Sequence, residues 1–398
     1  MKILVVCQHY YPESFRITDI CEELVKRGHS VVVITELPNY NLPDILPEYR
    51  HRQNSDEVIN GVHIHRCRTI ARKSGVVRRI LNYYCFALSS KRYAKNLKEE
   101  FDVVFVNQLS PVMMAWAGIA YKKKHHKKML LYCLDLWPES LIAGNIGRGS
   151  FIYKYFHRVS EKVYLQADEI LVTSRLFRSY FKEHFRISDN TIFYLPQYAE
   201  ALFTPEVCQK LPDGNIDLLF AGNIGAAQSI PTFLQAAKET QDIKNLFWHF
   251  VGEGSELQSC KKLAEELKLD RVIFHGKKPL EEMPSYYAKA DAMLVGLMKD
   301  PVLSLTLPGK VQTYLAAGKP IIGSADGETE EVIKASNCGF CSPAEDASAL
   351  ALNVRRFCEE FDSLAKFFSV NAVKFYEENF KKEQFFSVLE KKLAEYAQ

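Results

Sequence analysis

Apolar runs short enough to be strands alternate along this chain with longer stretches whose apolar residues recur at helical spacing, and the alternation occurs twice. In the first series Lys2–Cys7 reads as a strand and Phe15–Arg27 as a helix with Ile17, Ile20, Cys21, Leu24 and Val25 on one face. Gly28 stops that helix, and Val31–Thr35 is the next strand. A strand, helix and strand in this order form a βαβ unit, which demands a parallel sheet covered on both faces. Val62–Cys67, Val103–Asn107, Leu130–Cys133, Glu169–Thr173 and Ile192–Tyr194 continue the series. Residues 196–216 are polar and proline-bearing and read as a linker. The second series runs through Leu218–Ala221, Phe247–Gly252, Val272–Phe274, Ala292–Gly296, Pro320–Gly323 and Gly339–Cys341. From about Phe375 the tail is helical. The expected class is α/β: two Rossmann-like doubly wound domains facing a central cleft, with ligands at the carboxyl ends of the strands.

A length of 398 residues suits two cores rather than one. No run approaches the length of a membrane-spanning helix; the longest candidate, Val112–Tyr121, is too short. The N-terminus opens directly on a strand, so no secretory signal is expected. Ten cysteines are scattered singly, which points to reduced thiols and a cytoplasmic location. Cys338-Gly339-Phe340-Cys341 lacks the second pair that zinc requires. Residues 1–200 hold 29 Lys and Arg against 20 Asp and Glu, and the remainder holds 22 against 28. A basic first half suggests an anionic partner there. No nucleic-acid-binding motif occurs, so none is expected as partner. Ala71–Lys98 interleaves Arg72, Lys73, Arg78, Arg79, Lys91, Arg92 and Lys95 with Tyr83, Tyr84, Phe86 and Tyr93, and Lys122–Lys128 adds a basic run. Such a helix either lies in a membrane interface or packs on its own domain; the charge of the first half favours the membrane.

Two segments of the second series place glycine and lysine where a ligand would meet the sheet. Asp217–Gln228 reads as a buried strand entering a glycine turn, with Gly222, Asn223, Gly225 and Gln228, that opens a helix. Leu307–Ile322 reads as a loop with Lys310 at a helix start, then Gly318 and a new strand. Helix starts present free N–H groups and attract phosphate, so the two together predict a diphosphate site. Neither matches a nicotinamide fingerprint or a P-loop. Gly252 and Gly254 follow the next strand and Lys277 follows a third. Each alone is more often an ordinary turn; together they argue for close backbone approach to a ligand. A fixed Lys310 ammonium would stabilise charge on a leaving diphosphate; the alternative is a solvated lysine. No Asp-x-Asp occurs, so no metal or other cofactor is expected. Asp135, beside Trp137 and Pro138, follows a strand of the first series. It orients sugar hydroxyls or caps a helix. Glu13, Ser14 and Arg16 occupy the first strand-to-helix loop, where Arg16 takes an acceptor phosphate or faces solvent.

Six segments carry a family resemblance: Tyr10–Arg16, Arg27-Gly28-His29, Leu37-Pro38-Asn39-Tyr40, Asp135–Ser140, Gly222–Gly225 with Gln228, and Ala316–Pro320. As a set they resemble the glycosyltransferases of the GT-B fold, in the large retaining family 4. Within it they are similar to bacterial polysaccharide enzymes of the WbuB type, N-acetyl-L-fucosaminyltransferases. The resemblance covers nearly the whole chain. It implies an acceptor-binding domain over 1–200, a nucleotide-sugar-binding domain over 201–375, and a C-terminal helix, 376–398, that joins the first domain. The implied partners are a UDP-sugar and a lipid-diphosphate-linked saccharide at the inner face of the membrane, in O-antigen or capsule biosynthesis. Lys310 and the amides near Gly222–Gly225 would hold the diphosphate, and the Gly252–Gly254 and Lys277 loops the base and ribose. The family often has two glutamates at the positions of Leu305 and Thr313, the second on the donor ribose. Gln312 or Thr313 would substitute here, and Glu328 and Glu330 are further candidates for sugar or ribose. Two other readings share the fold: a UDP-sugar epimerase, which needs acid and base groups gathered in the cleft, and a non-catalytic UDP-sugar-binding subunit.

Overall fold

The computed structural model describes residues 1–397 apart from 41, 43, 72–74 and 145; Arg72 and Lys73 of the basic stretch therefore lie outside the described residues. The chain divides into two compact units. One comprises Met1–Thr173, Phe177–Leu195 and Phe386–Gln398, and the other Ser174–Leu176 and Pro196–Phe385.

In the first unit the strands are β1 (Lys2–Val6), β2 (Ser30–Glu36), β3 (Asp56–Ile59), β4 (Val62–Cys67), β5 (Val103–Gln108), β6 (Lys128–Cys133), β7 (Glu169–Val172) and β8 (Ile192–Tyr194). They lie in the order β3-β4-β2-β1-β5-β6-β7-β8. β1 is central and pairs in parallel with β2 and β5, and Ile3 to Val6 are wholly buried. The helices α1 (Arg16–Lys26), α2 (Val76–Asn96), α3 (Trp116–His125), α4 (Phe151–Tyr164) and α5 (Phe177–Phe185) cover the sheet. α1 buries Ile17, Ile20, Cys21 and Leu24, and Gly28 ends the turn at a φ of +90°. β3 carries no apolar run and was not expected. It is an antiparallel edge strand on β4, joined by Asn60-Gly61, both in the left-handed region, which is a hairpin turn.

In the second unit β9 (Ile216–Ala221), β10 (Leu246–Val251), β11 (Val272–Gly276), β12 (Ala292–Gly296), β13 (Ile321–Ser324) and β14 (Gly339–Ser342) form a parallel sheet. Its order is β11-β10-β9-β12-β13-β14. The helices are α6 (Ile230–Glu239), α7 (Leu257–Glu266), α8 (Met283–Tyr287), α9 (Gly309–Ala316), α10 (Glu328–Ser336), α11 (Ala347–Glu359) and α12 (Phe361–Asn379). Alternation along β9 sends Leu218 and Phe220 into the core with Phe233, Trp248 and Phe250. Leu219 and Ala221 enter the opposite core with Val311, Tyr314 and Tyr287. The chain order reverses direction between β9 and β12, so the loops leaving those strands diverge and open a crevice at their carboxyl ends. In the first sheet the reversal falls between β1 and β5. The last helix, α13 (Lys382–Tyr396), begins in the second unit and ends in the first.

Candidate active site

Lys310 is the second residue of α9, the helix that follows the long loop leaving β12. Its side chain reaches over the end of β9. The ammonium lies 3.8 Å from the centroid of the Phe220 ring, and a Cβ at Gly222 would meet it at 2.9 Å. Lys310 is half-buried, and loss of water around its ammonium pulls the pKa down to about 7. Among the described residues no carboxylate pairs with it. An aromatic face attracts a cation but does not neutralise it, so the group is poised for an anion. The Gly309 and Lys310 amides open the same helix, where the first N–H groups lack an intrahelical acceptor; the Val311 N–H donates to Pro308 O at 2.9 Å.

The glycine turn departs from expectation. The Gly222 N–H donates to Val251 O (2.9 Å) and the Ile224 N–H to Glu253 O (2.9 Å). The Gly225 N–H donates to Gln228 Oε1 (3.2 Å), which also accepts from Asn223 Nδ2 (3.2 Å). Three amides expected to hold a diphosphate are thus spent inside the loop. Gly252 and Gly254 approach a neighbouring backbone rather than a ligand. A Cβ at Gly252 would stand 1.8 Å from Gly222 O, and one at Gly254 2.3 Å from Ile224 O. Anion-binding capacity therefore concentrates on Lys310 and the start of α9. Lys277 forms an exposed pair with Glu253 at 3.1 Å.

Neither residue expected to replace the family's second glutamate is available as proposed. Gln312 is 1% exposed, and its amide faces the carbonyls of Pro308 (3.0 Å) and Gly309 (3.1 Å). The Thr313 hydroxyl bonds Glu200 Oε2 at 3.2 Å. A carboxylate therefore stands one helical turn from Lys310, contributed by Glu200. The sequence offered no signal for it, because the pairing spans 113 positions. Glu328 is buried, and both of its oxygens accept backbone N–H groups, from Arg175 and Leu176 at 3.1 Å each. It fastens that segment through both of its oxygens.

In the first unit Asp135 follows β6. Its Oδ2 accepts from Ser110 N (3.2 Å) and Ser110 Oγ (3.1 Å), and Trp137 Nε1 donates to the same Ser110 Oγ at 2.8 Å. Ser110 follows β5, at the reversal point of this sheet, and was missed by the sequence reading. Burial raises the Asp135 pKa and the Ser110 bonds oppose the rise, leaving the carboxyl above its ordinary value. Among the described residues nothing bonds Oδ1. Asp135 caps no helix. Glu139 of the same segment instead ties the loop down, accepting from Tyr153 (2.6 Å), Tyr180 (3.1 Å) and Arg148 (3.0 Å).

Glu13 accepts from the Asn39 and Tyr40 amides at 2.7 and 2.5 Å, and its other oxygen lies 3.4 Å from His9 Nδ1. It organises the 39–40 loop instead of offering itself to an acceptor. Ser14 is exposed and Arg16 half-buried; the Arg16 charge is felt by the buried Tyr132 hydroxyl. The structure thus brings Lys310 to Gly222, Thr313 to Glu200, and Asp135 to Ser110.

Comparison with known proteins agrees with the fold. The family described as Glycosyltransferase Family 4 matches residues 15–197, and that described as Glycosyl transferases group 1 matches residues 208–372. Each half of the chain thus matches a glycosyltransferase family, and the chain is a glycosyltransferase of the GT-B fold. It is 29% identical over 242 residues to the probable glycosyltransferase WbjE of Pseudomonas aeruginosa, covering 58% of this chain and 60% of that one. It is 22% identical to the putative colanic acid biosynthesis glycosyl transferase WcaI of Escherichia coli, over 89% of this chain and 92% of that one. Among solved structures, HepE of Anabaena in complex with UDP and glucose matches with a TM-score of 0.71 and 14% identity, over 99% of each chain.

Proposed function

We propose that the protein is a retaining, metal-independent glycosyltransferase that moves a hexosamine-type sugar, N-acetyl-L-fucosamine in the WbuB-type reading, from a UDP donor. The acceptor is a lipid-diphosphate-linked saccharide at the inner membrane face, in O-antigen or capsule synthesis. One observation carries the reading: a half-buried ammonium, unpaired among the described residues, at the reversal point of the second sheet. The UDP and glucose held by HepE and the colanic acid role given to WcaI support it.

In this reading Lys310 and the first turn of α9 take the β-phosphate, whose charge grows as the sugar leaves. The bond from anomeric carbon to phosphate oxygen breaks, the acceptor oxygen bonds the same face, and its proton passes to the departing phosphate oxygen. Glu200 takes the ribose hydroxyls in place of the family's second glutamate. Asp135, held by Ser110, orients the donor sugar or the acceptor hydroxyl, and Arg16 meets the acceptor phosphate. Metal independence rests on the lack of Asp-x-Asp and on the cation already built into α9.

Thermal shift with UDP-, GDP- and TDP-sugars tests the donor: stabilisation by UDP-sugars is expected, and stabilisation by another nucleotide alone sinks the assignment. Lys310→Ala should lower turnover roughly 100-fold or more. Near-normal turnover would remove Lys310 from the mechanism.

A further inference from the structure

The outer face of α2 repeats in register. Leu81, Tyr84, Leu88, Lys91 and Lys95 follow at spacings of three and four, which places them on one stripe of the helix. Leu81 and Leu88 are exposed, so this stripe presents apolar side chains to solvent. The stripe continues onto neighbouring elements. Trp116 of α3 meets the Tyr84 ring edge-on at 6.0 Å, and the Tyr84 and Tyr155 hydroxyls bond at 3.0 Å. Tyr155 leads to the start of α4, where Phe151 is 92% exposed and Ile152 is also exposed.

Beside this apolar and aromatic band, α2 and α3 enclose a groove of about 650 Å³ lined by Lys91, Lys95, Trp116, Ile119, Lys123 and Lys124, among others. Four lysines line it, and no acidic side chain does. Two of the ammonium groups are held in place. Lys124 Nζ donates to the carbonyls of Lys95 (2.7 Å) and Leu97 (3.1 Å), and Lys91 Nζ stands 5.5 Å from the Trp116 ring centre. A cationic, indole-floored groove next to exposed Leu, Phe and Ile combines the two attractions that bind a protein to an anionic bilayer: headgroup charge and apolar insertion. Among the described residues no helix is long and apolar enough to cross a membrane, so this face would make a surface contact.

We propose that the face formed by α2, α3 and the start of α4 docks on an anionic phospholipid bilayer. The α2–α3 groove seats a headgroup phosphate, and Leu81, Leu88, Phe151 and Ile152 enter the acyl boundary. The inference deepens the lipid-linked acceptor of the proposed function, on which it rests for its purpose, by naming the surface and the lipid chemistry.

Flotation of the full chain with vesicles of phosphatidylcholine, with and without about 30 mole per cent phosphatidylglycerol to supply anionic headgroups, tests it. The chain should float with the anionic vesicles at low salt and remain behind with the neutral ones. Lys91→Glu with Lys123→Glu should weaken binding at least roughly fivefold per lysine, the equivalent of about 1 kcal/mol each. Phe151→Ser with Leu88→Ser should abolish the part of the binding that survives added salt. UDP stabilisation, measured in parallel, should be unchanged in both variants, which shows that they fold. Failure of the unaltered chain to float, or equal flotation of the variants, overturns the proposal. So does sedimentation showing a dimer that the Phe151→Ser, Leu88→Ser variant dissociates, since a second copy would then own the face. Flotation without any UDP stabilisation would sink the donor reading and leave the bilayer contact standing.

Discussion

An ammonium held against an aromatic ring, with no counter-ion among the described residues, is a liability to the unliganded fold, and its sign can be worked out. The Lys310 pKa falls from 10.5 to about 7. Between those values the unfolded chain binds a proton that the folded chain does not, so stability rises with pH across that window. The penalty is complete below pH 7 and fades toward pH 10.5. Lys310→Met should therefore raise the melting temperature at pH 6 and raise it less at pH 9, as read by calorimetry at the two values. Equal gains would mean that the ammonium is well hydrated. The same variant should lose stabilisation by UDP, because the charge that costs stability in the empty site is the one that meets the diphosphate. Lys310 was legible in the sequence because proline, glycine and lysine at a helix start have a local meaning. Glu200 and Ser110 were not. Each acts through a partner remote in sequence, Thr313 and Asp135 respectively, and no local pattern marks such a pairing. Glu13 and Glu328 show the converse: carboxylates at the right places in the chain that are engaged by backbone amides, Glu13 through one oxygen and Glu328 through both.

At the scale of elements, the βα alternation was readable because central parallel strands are buried on both faces and appear as unbroken apolar runs. β9 and β5 are buried along their whole length. β3 alternates half-buried and exposed residues, so it carried no such run, although Asn60-Gly61 is a strong hairpin signal. The glycines of the second sheet were recognised and their purpose misread. They let two loops leaving β9 and β10 touch backbone to backbone, a contact that sequence cannot distinguish from approach to a ligand. Gly252 has a φ of +145° and no room for a Cβ beside Gly222 O. Gly252→Ala should destabilise the protein by about 3 kcal/mol or more in urea denaturation. Gly225 has a φ of −120°, and a Cβ there would meet the Asn223 side-chain amide at 2.7 Å, which can turn aside. Gly225→Ala should cost about 1 kcal/mol. A similar loss at both positions would refute the backbone-contact account of Gly252.

At the scale of the whole molecule, the tail is the part whose pattern said least about its destination. Its helical periodicity was visible, but what it packs against depends on surfaces formed by residues hundreds of positions earlier. α13 buries Phe386, Leu389 and Leu393 completely. Its Glu390 accepts from Arg27 (3.2 Å) and His29 (2.9 Å), and Lys392 bonds Glu169 at 2.8 Å. The first unit is therefore completed by the last residues of the chain. A fully buried leucine contributes about 2 kcal/mol to this closure, and Glu169 is 3% exposed, so its carboxylate depends on Lys392. Leu389→Ala should accordingly destabilise the first unit by about 3 kcal/mol, and Lys392→Ala by a similar amount, about 3 kcal/mol, because it strands the buried Glu169 carboxylate. Calorimetry can assign the effect to a unit. UDP, which the proposed function places on the second unit, should raise that unit's transition, and Leu389→Ala should lower the transition that UDP leaves in place. A fall in the UDP-responsive transition instead would mean that the tail stabilises the second unit, and that the first unit folds without it.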